Sequence, residues 1–245
     1  MTTHVVALSG GKDSTAMALR LAEIEPQDYV YLCTPTGDEL PEMEQHWERL
    51  ACLLGTPLTR LQNGTLRSWT EHFQALPSWR MRWCTRLLKI EPCLDFVRTH
   101  APVTLYVGLR ADEPDRAGLY GDLVGQYRYP LREWGWSKSD VKAYLLERKI
   151  TIPARTDCAR CYGQRLYEWR RLWQEHPEIY EDAEAQERAT GFTFRSPARD
   201  SWPTALADLR QEFEHGRLPP KADDQLSLFE EDNDESQGAC RVCRM

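Results

Sequence analysis

The sequence predicts an α/β fold: a doubly wound, mostly parallel sheet, then a helical C-terminal part and a disordered tail. Three observations lead there. Short strand-like apolar runs alternate with longer helical segments, the order that builds a parallel sheet. The first run, Val5–Leu8, passes into an Ala/Leu-rich helical segment through the pair Gly10–Gly11. Polar turns also follow the second and fourth runs, and ligands of such sheets bind beyond the C-terminal strand ends.

In chain order, strands are expected near residues 4–8, 29–33, 57–61 and 103–108, with helices over 13–24, 41–54 and 85–99. Ser137 reads as a helix cap with Asp140 at the third position, and Val141, Tyr144 and Leu145 follow as an apolar stripe at helical spacing. Residues 162–215, with many Trp, Arg and Glu, read as mostly helical. After Pro219–Pro220 the composition turns acidic with Ser, Asn and Gly, the signature of a disordered tail. The expected organisation is a nucleotide-binding domain over residues 1–200, a C-terminal helix over 201–220 and a tail over 221–245.

At 245 residues and 41% apolar content, the chain suits one domain with additions and a real core. No apolar run approaches the roughly 18 residues of a membrane span. The N-terminus runs straight into a strand, without the basic segment and apolar region of a secretory signal. These readings give a cytoplasmic protein with no membrane partner, whose eight cysteines are ligands, nucleophiles or core residues rather than disulfides. The net charge of −7 gives no global argument for nucleic-acid binding. Locally, Arg80, Arg82, Arg86 and Lys89 cluster beside Trp79 and Trp83; the reading preferred here is a phosphate pocket for a small nucleotide over a polynucleotide surface.

The segment Ser9-Gly10-Gly11-Lys12-Asp13-Ser14 carries the most chemistry. A glycine pair lets the backbone turn tightly and approach a ligand. The helix start behind it offers unpaired N–H groups and a positive dipole end to an anion. Lys12 adds charge and the two serines add hydroxyls, so this is a site for phosphate or pyrophosphate. Asp13 serves Mg²⁺ or the loop itself. The spacing is not that of the Walker A loop.

It resembles instead the SGGxDS pyrophosphate loop of the N-type ATP pyrophosphatase (PP-loop) superfamily, in its PAPS reductase-like branch. Three further segments extend the resemblance: Thr36-Gly37-Asp38 with Pro41 and Glu42; Cys84 with Arg86, Lys89 and Pro92; and Gly108-Leu109-Arg110 with Glu113 and Arg116. The resemblance implies an adenine nucleotide alpha hydrolase-like fold and an adenine nucleotide as ligand, ATP or else PAPS or adenylyl sulfate. It places Thr36, Gly37 and Asp38 beside the nucleotide, and Arg86, Lys89, Gly108, Arg110, Glu113 and Arg116 among its anion-binding residues. Catalytic candidates are Lys12, Asp13, Cys84, Arg110, Cys240 and Cys243.

The resemblance also bears on metals. Relatives of the reductase branch hold a [4Fe-4S] cluster through cysteines in the regions of Cys84 and of the C-x-x-C Cys158–Cys161. Cys84, Cys158 and Cys161 are therefore the candidate ligands, with a fourth from Cys240 or Cys243. Zinc held by Cys158, Cys161, Cys240 and Cys243 is the alternative, and the long gap between the two pairs argues against it. Cys33, Cys52 and Cys93 read as core residues.

Three functions stay open at this point. One is ATP-dependent sulfur transfer or modification of a nucleotide or nucleic acid, with a sulfur donor as partner. The second is a sulfonucleotide reductase with thioredoxin, although the tail lacks the reductase E-C-G-L-H-type motif. The third is a non-catalytic nucleotide-binding accessory protein of a phage or mobile defence system, recruited to a DNA sliding clamp through Gln225-Leu226-Ser227-Leu228-Phe229, which resembles a clamp-binding peptide.

Overall fold

The structure, a computed structural model, describes residues 2–116, 126–197 and 200–220. Five strands, β1 (Thr3–Ala7), β2 (Tyr29–Cys33), β3 (Thr59–Arg60), β4 (Val103–Tyr106) and β5 (Gln126–Arg128), form a sheet of order β3-β2-β1-β4-β5. Every pairing is parallel, with Val5 opposite Val30 on one side and Leu105 on the other. The strand order reverses direction between β1 and β4, so their C-terminal ends flank the crevice where such sheets bind ligands.

Successive β1 residues serve opposite faces of the sheet, as the period of two requires. Val6 and Leu8 pack with α1 (Lys12–Ile24), α2 (Pro41–Leu54) and α7 (Lys138–Glu147) through Met17, Leu21, Met43, Trp47 and Val141. Val5 joins Leu32, Val103 and Leu105 under Cys93 and Val97 of α5 (Glu91–His100). The sheet is thus covered on both faces, as doubly wound folds are. Ser137 and Asp140 cap α7 reciprocally, with Ser137 N donating to Asp140 Oδ2 at 2.8 Å.

The helix expected over 85–99 is three pieces. A short turn, α4 (Trp83–Thr85), runs into a wide π-helical turn, Arg86–Ile90, and only then into α5. Pro92 lacks the N–H that would continue an α-helical ladder, and Glu91 N reaches back to Arg86 O to close the wide turn. Two helices that the sequence reading passed over are α3 (Leu66–Phe73), capped by Thr65 and Ser68, and the single turn α6 (Pro130–Glu133). β5 was also missed.

Residues beyond 162 form α8 (Leu166–Glu175), α9 (Pro177–Thr190) and α10 (Leu206–Glu214). They build their own apolar core of Trp169, Leu172, Tyr180, Phe194, Leu206 and Phe213, reached from the sheet side by Leu40 and Leu76. Glu187 ties this part together. Its carboxylate accepts from Phe194 N at 2.9 Å and from Leu206 N, at the start of α10, at 2.7 Å. Burial pushes that carboxyl up to about 7. Among the cysteines expected in the core, Cys33 and Cys93 are buried, whereas Cys52 lies on the exposed face of α2. The expected disordered tail, the clamp-like Gln225–Phe229 segment and Cys240 and Cys243 lie outside the described residues.

Candidate nucleotide-binding cleft

The Ser9–Ser14 loop leaves β1 and enters α1 with Gly10 at φ +85°. A side chain there would strain the backbone, and its Cβ would fall 2.2 Å from Met43 Cε and 2.8 Å from Trp47 Nε1. The loop braces itself: Ser14 Oγ donates to Gly11 O at 3.1 Å and lies 3.0 Å from Ser9 Oγ. From α2, Trp47 Nε1 donates to Ser9 O at 3.2 Å, and His46 Nε2 lies 3.0 Å from Gly10 O. Burial holds His46 down at about 4, so it is neutral at pH 7 and donates its Nε2 proton there.

Gly108 closes the other side. A Cβ on it would come within 3.1 Å of Ser14 N and 3.2 Å of Asp13 C, so the backbone after β4 can approach the first turn of α1 only because residue 108 is glycine. Two residues on, Arg110 is buried to 1% exposure and its Nη1 donates to Asp13 Oδ2 at 2.8 Å. Arg110 Nε also reaches Asp112 Oδ1 at 2.9 Å. Burial opposes the guanidinium charge, but Asp13 and Glu113 outweigh it and raise its pKa above the ordinary value. Arg110 is therefore a fixed charge beneath the loop. The remaining oxygen, Asp13 Oδ1, is buried without a hydrogen-bond partner. That fits Mg²⁺, which takes one or two carboxylates beside waters and phosphate oxygens.

A cleft of about 220 Å³ opens beside the loop. Ser9, Asp13, Ser14, Gly108, Lys89, Arg116 and Cys158 all line it. Glu113 Oε1 holds Arg116 Nη1 at 2.5 Å. The cluster read as one phosphate pocket is divided: Lys89 turns into the cleft, while Arg86 points outward, three-quarters exposed and paired with Glu91 at 2.7 Å. Arg80 is also exposed.

Thr36, Gly37 and Asp38 serve the neighbouring loop. Thr36 Oγ1 donates to Glu39 Oε1 at 2.7 Å and lies 3.2 Å from Cys158 Sγ. Gly37, at φ +70°, packs where a Cβ would meet Thr65 Cγ2 at 2.7 Å. Asp38 is buried and accepts from Arg160 N at 2.9 Å and from the Arg160 guanidinium, which also reaches Asp182 on α9. From the opposite side Arg155 donates to Cys158 O at 3.0 Å and to Glu168 on α8 at 2.9 Å. Two arginines thus clamp the Cys158–Cys161 turn.

Cys84, Cys158, Cys161 and Tyr162 pack together. Burial pushes the Cys158 thiol well above its usual range, with Lys89 pulling the other way. Among the described residues, no group of three or more His, Cys, Asp or Glu is arranged to hold a metal ion. Cys84, Cys158 and Cys161 lie together without that arrangement, and the candidate ligands Cys240 and Cys243 lie outside the described residues, so no chemistry is assigned through an iron–sulfur cluster or zinc.

The family profile of the phosphoadenosine phosphosulfate reductase domain matches residues 3–154, from β1 to beyond α7. The chain belongs to this family. The sequence resemblance is borne out over that span. Among solved structures, the fold is similar to phosphoadenylyl-sulfate (PAPS) reductase of Candida auris in a phosphate complex, at TM-score 0.50 and 16% identity, covering 62% of this chain and 75% of that one. U34-tRNA thiolase NcsA of Methanococcus maripaludis, solved with its [4Fe-4S] cluster, aligns at TM-score 0.47 and 15% identity over 85% of this chain and 80% of that one. An uncharacterized protein of Methanocaldococcus jannaschii is 24% identical over 191 residues, which is 72% of this chain. The chain spans 40% of the length of that curated relative.

The residues that sequence reasoning missed, inside the matched span and beyond it, are those that hold the site. His46 and Trp47 brace the loop, while Arg155, Arg160 and Asp182 fix the cysteine turn. The helical period of α2 was the one signal available for the first pair: His46 and Trp47 lie on the face that carries Met43 and Leu50. Among the described residues no helix is long and apolar enough to cross a membrane.

Proposed function

We propose that the chain is an ATP-dependent enzyme that activates an acceptor by adenylylation and transfers sulfur to it. One observation carries this reading: the Ser9–Ser14 loop, the cations Lys89 and Arg116 and the Cys158 thiol line a single cleft at the switch point of the sheet. The phosphate chain lies on the Gly10–Gly11 turn and the first N–H groups of α1. Lys89 and Arg116 balance the remaining negative charge. Asp13 Oδ1 would hold Mg²⁺, which supplies charge neutralisation on the phosphates. An acceptor oxygen attacks the α-phosphorus, and the bond to the bridging oxygen breaks. Pyrophosphate leaves with the electron pair. Hydrosulfide from a sulfur donor then forms a C–S bond on the activated acceptor carbon, and AMP departs with the electrons of the broken C–O bond.

Calorimetric titration of the full chain tests the first half of this reading. ATP with Mg²⁺ is expected to bind, and Arg116→Ala to weaken it about tenfold by removing a charge that lines the cleft. Absence of ATP binding with and without Mg²⁺ overturns the proposal. The family assignment favours a second reading, a sulfonucleotide reductase. Thioredoxin-dependent sulfite release from PAPS, abolished in a Cys240→Ser/Cys243→Ser variant, would replace the first reading with this one.

A further inference from the structure

Between Gln74 and Ile90 the chain carries four cations, Arg80, Arg82, Arg86 and Lys89, and no carboxylate, within a protein of net charge −7. The structure shows how this stretch is displayed. Ser78 and Met81 exchange backbone hydrogen bonds, each 3.1 Å, which puts Trp79 and Arg80 at the tip of a tight turn. Trp79 and Met81 are close to half exposed, and Arg80 makes no ion pair among the described residues. A second exposed ring, Phe73, meets the same stretch at Trp83, with ring centroids 5.4 Å apart, and stacks on Trp69 at 5.5 Å. Arg86 projects to solvent from the same stretch, bridged to Glu91.

The same stretch reaches the wall of the cleft. The Trp79 ring meets Tyr162 edge-on at 5.2 Å, and Tyr162 packs with Cys84, Cys158 and Cys161. Thr85 and Lys89, from the end of the same stretch, line the cleft beside Cys158. A small nucleotide held in the cleft leaves Trp79, Arg80 and Met81 in water, since none of them lines it. Exposed aromatic rings interleaved with cations match a different ligand. Unpaired bases stack on rings regardless of sequence, and arginines take the phosphates between them. A duplex keeps its base faces covered and cannot use the rings.

We infer that the Trp79–Arg80 turn, with Phe73 and Arg86, is a binding surface for single-stranded nucleic acid that leads a nucleotide toward the Cys158 end of the cleft. Calling the bound strand the acceptor rests on the proposed adenylylating activity. The binding itself does not, and the two can fail separately.

The test is fluorescence anisotropy of labelled, unstructured single-stranded RNA and DNA oligonucleotides, and of the matching duplex, titrated with the full chain without ATP. Either single strand is expected to bind more tightly than the duplex, with affinity falling steeply as salt rises. Preference between RNA and DNA identifies which polymer is read. Trp79→Ala is expected to weaken binding about tenfold, the cost of one lost base stack. Arg80→Glu is expected to weaken it similarly and to flatten the salt dependence. Both substitutions are on an exposed turn, and the melting temperature of each variant checks that the fold is intact. Equal binding of duplex, indifference to both substitutions, or no binding by a chain that still binds ATP overturns the inference. Displacement by poly-glutamate, together with indifference to Trp79→Ala, would assign the surface to an acidic protein and overturns it as well. Loss of ATP binding alone would strike the proposed activity and leave this surface standing.

Discussion

Two loops line the cleft and are held in different proportions by local and distant contacts. Ser9–Ser14 is braced mostly from nearby in the chain, by its own glycines and hydroxyls and by His46 and Trp47 of α2, with Arg110 completing it from beyond β4. The Cys158–Cys161 turn has local bonds from Gln164 to Ala159 O and Cys161 O, and is tied further by two arginines. It is clamped by Arg160 to Asp38, 122 positions earlier, and by Arg155 to Glu168 on α8. A phosphate-binding loop must present backbone N–H groups, so its geometry is set by backbone chemistry. A thiol can be presented by any scaffold that orients it, so the scaffold here comes from the helical part of the chain.

The difference can be broken from either side. The largest effect is expected from Arg160→Ala, which leaves Asp38 buried without its cation at a cost of about 3–5 kcal/mol. Urea unfolding measures that cost. In the folded fraction, iodoacetamide should modify Cys158 faster while ATP affinity holds; a parallel loss of ATP affinity would mean that the two loops are one unit.

Next comes pH, which acts on the two regions with opposite sign. His46, beside the phosphate loop, has its pKa lowered from 6.5 to about 4. The unfolded chain takes up that proton first, so the His46 contribution is complete above pH 6.5 and is lost as pH falls toward 4. Glu187, in the helical part, has its pKa raised from 4.5 to about 7. Its contribution is complete below pH 4.5 and is lost as pH rises toward 7. Each is on the order of 3 kcal/mol, so between pH 4.5 and 6.5 the two offset one another. His46→Gln should therefore expose stability that rises on acidification, relative to the parent chain, and Glu187→Gln the reverse. Denaturation series across that window read out both slopes, and parallel curves for the three proteins would refute the assignment.

Gly108→Ala should cost about 1–3 kcal/mol through overpacking against the first turn of α1. It should weaken ATP binding without changing Cys158 alkylation. The smallest effect on Cys158 itself is expected from Lys89→Gln, which should also weaken ATP binding. Losing the cation beside Cys158 shifts its thiol titration upward, seen as a few-fold slower alkylation at fixed pH.

The same contrast explains what could be read in the sequence. β1, β2, α1 and α2 come within a residue of their expected bounds because each has a local period and a local stop. The loop was legible from six adjacent residues. β5 was not, since three residues carry too little alternation to count as a strand. The pieces of residues 83–100 merged into one expected helix because periodicity does not register a wide turn, although Pro92 marked the place. The Arg160–Asp38 and Arg155–Glu168 pairs had no signature at all. In a chain with many arginines, nothing nearby says which one folds inward.

The position of β1 in the middle of the sheet has a consequence for how the protein is made. Asp13 is synthesised 97 positions ahead of Arg110, and β1 ahead of the β4 strand that flanks it. A nascent chain that has passed the Ser9–Ser14 loop holds the whole of its sequence but lacks the buried cation beneath it and the Gly108 backbone beside it. The ribosome must deliver the second half of the sheet before the loop made ahead of it can set.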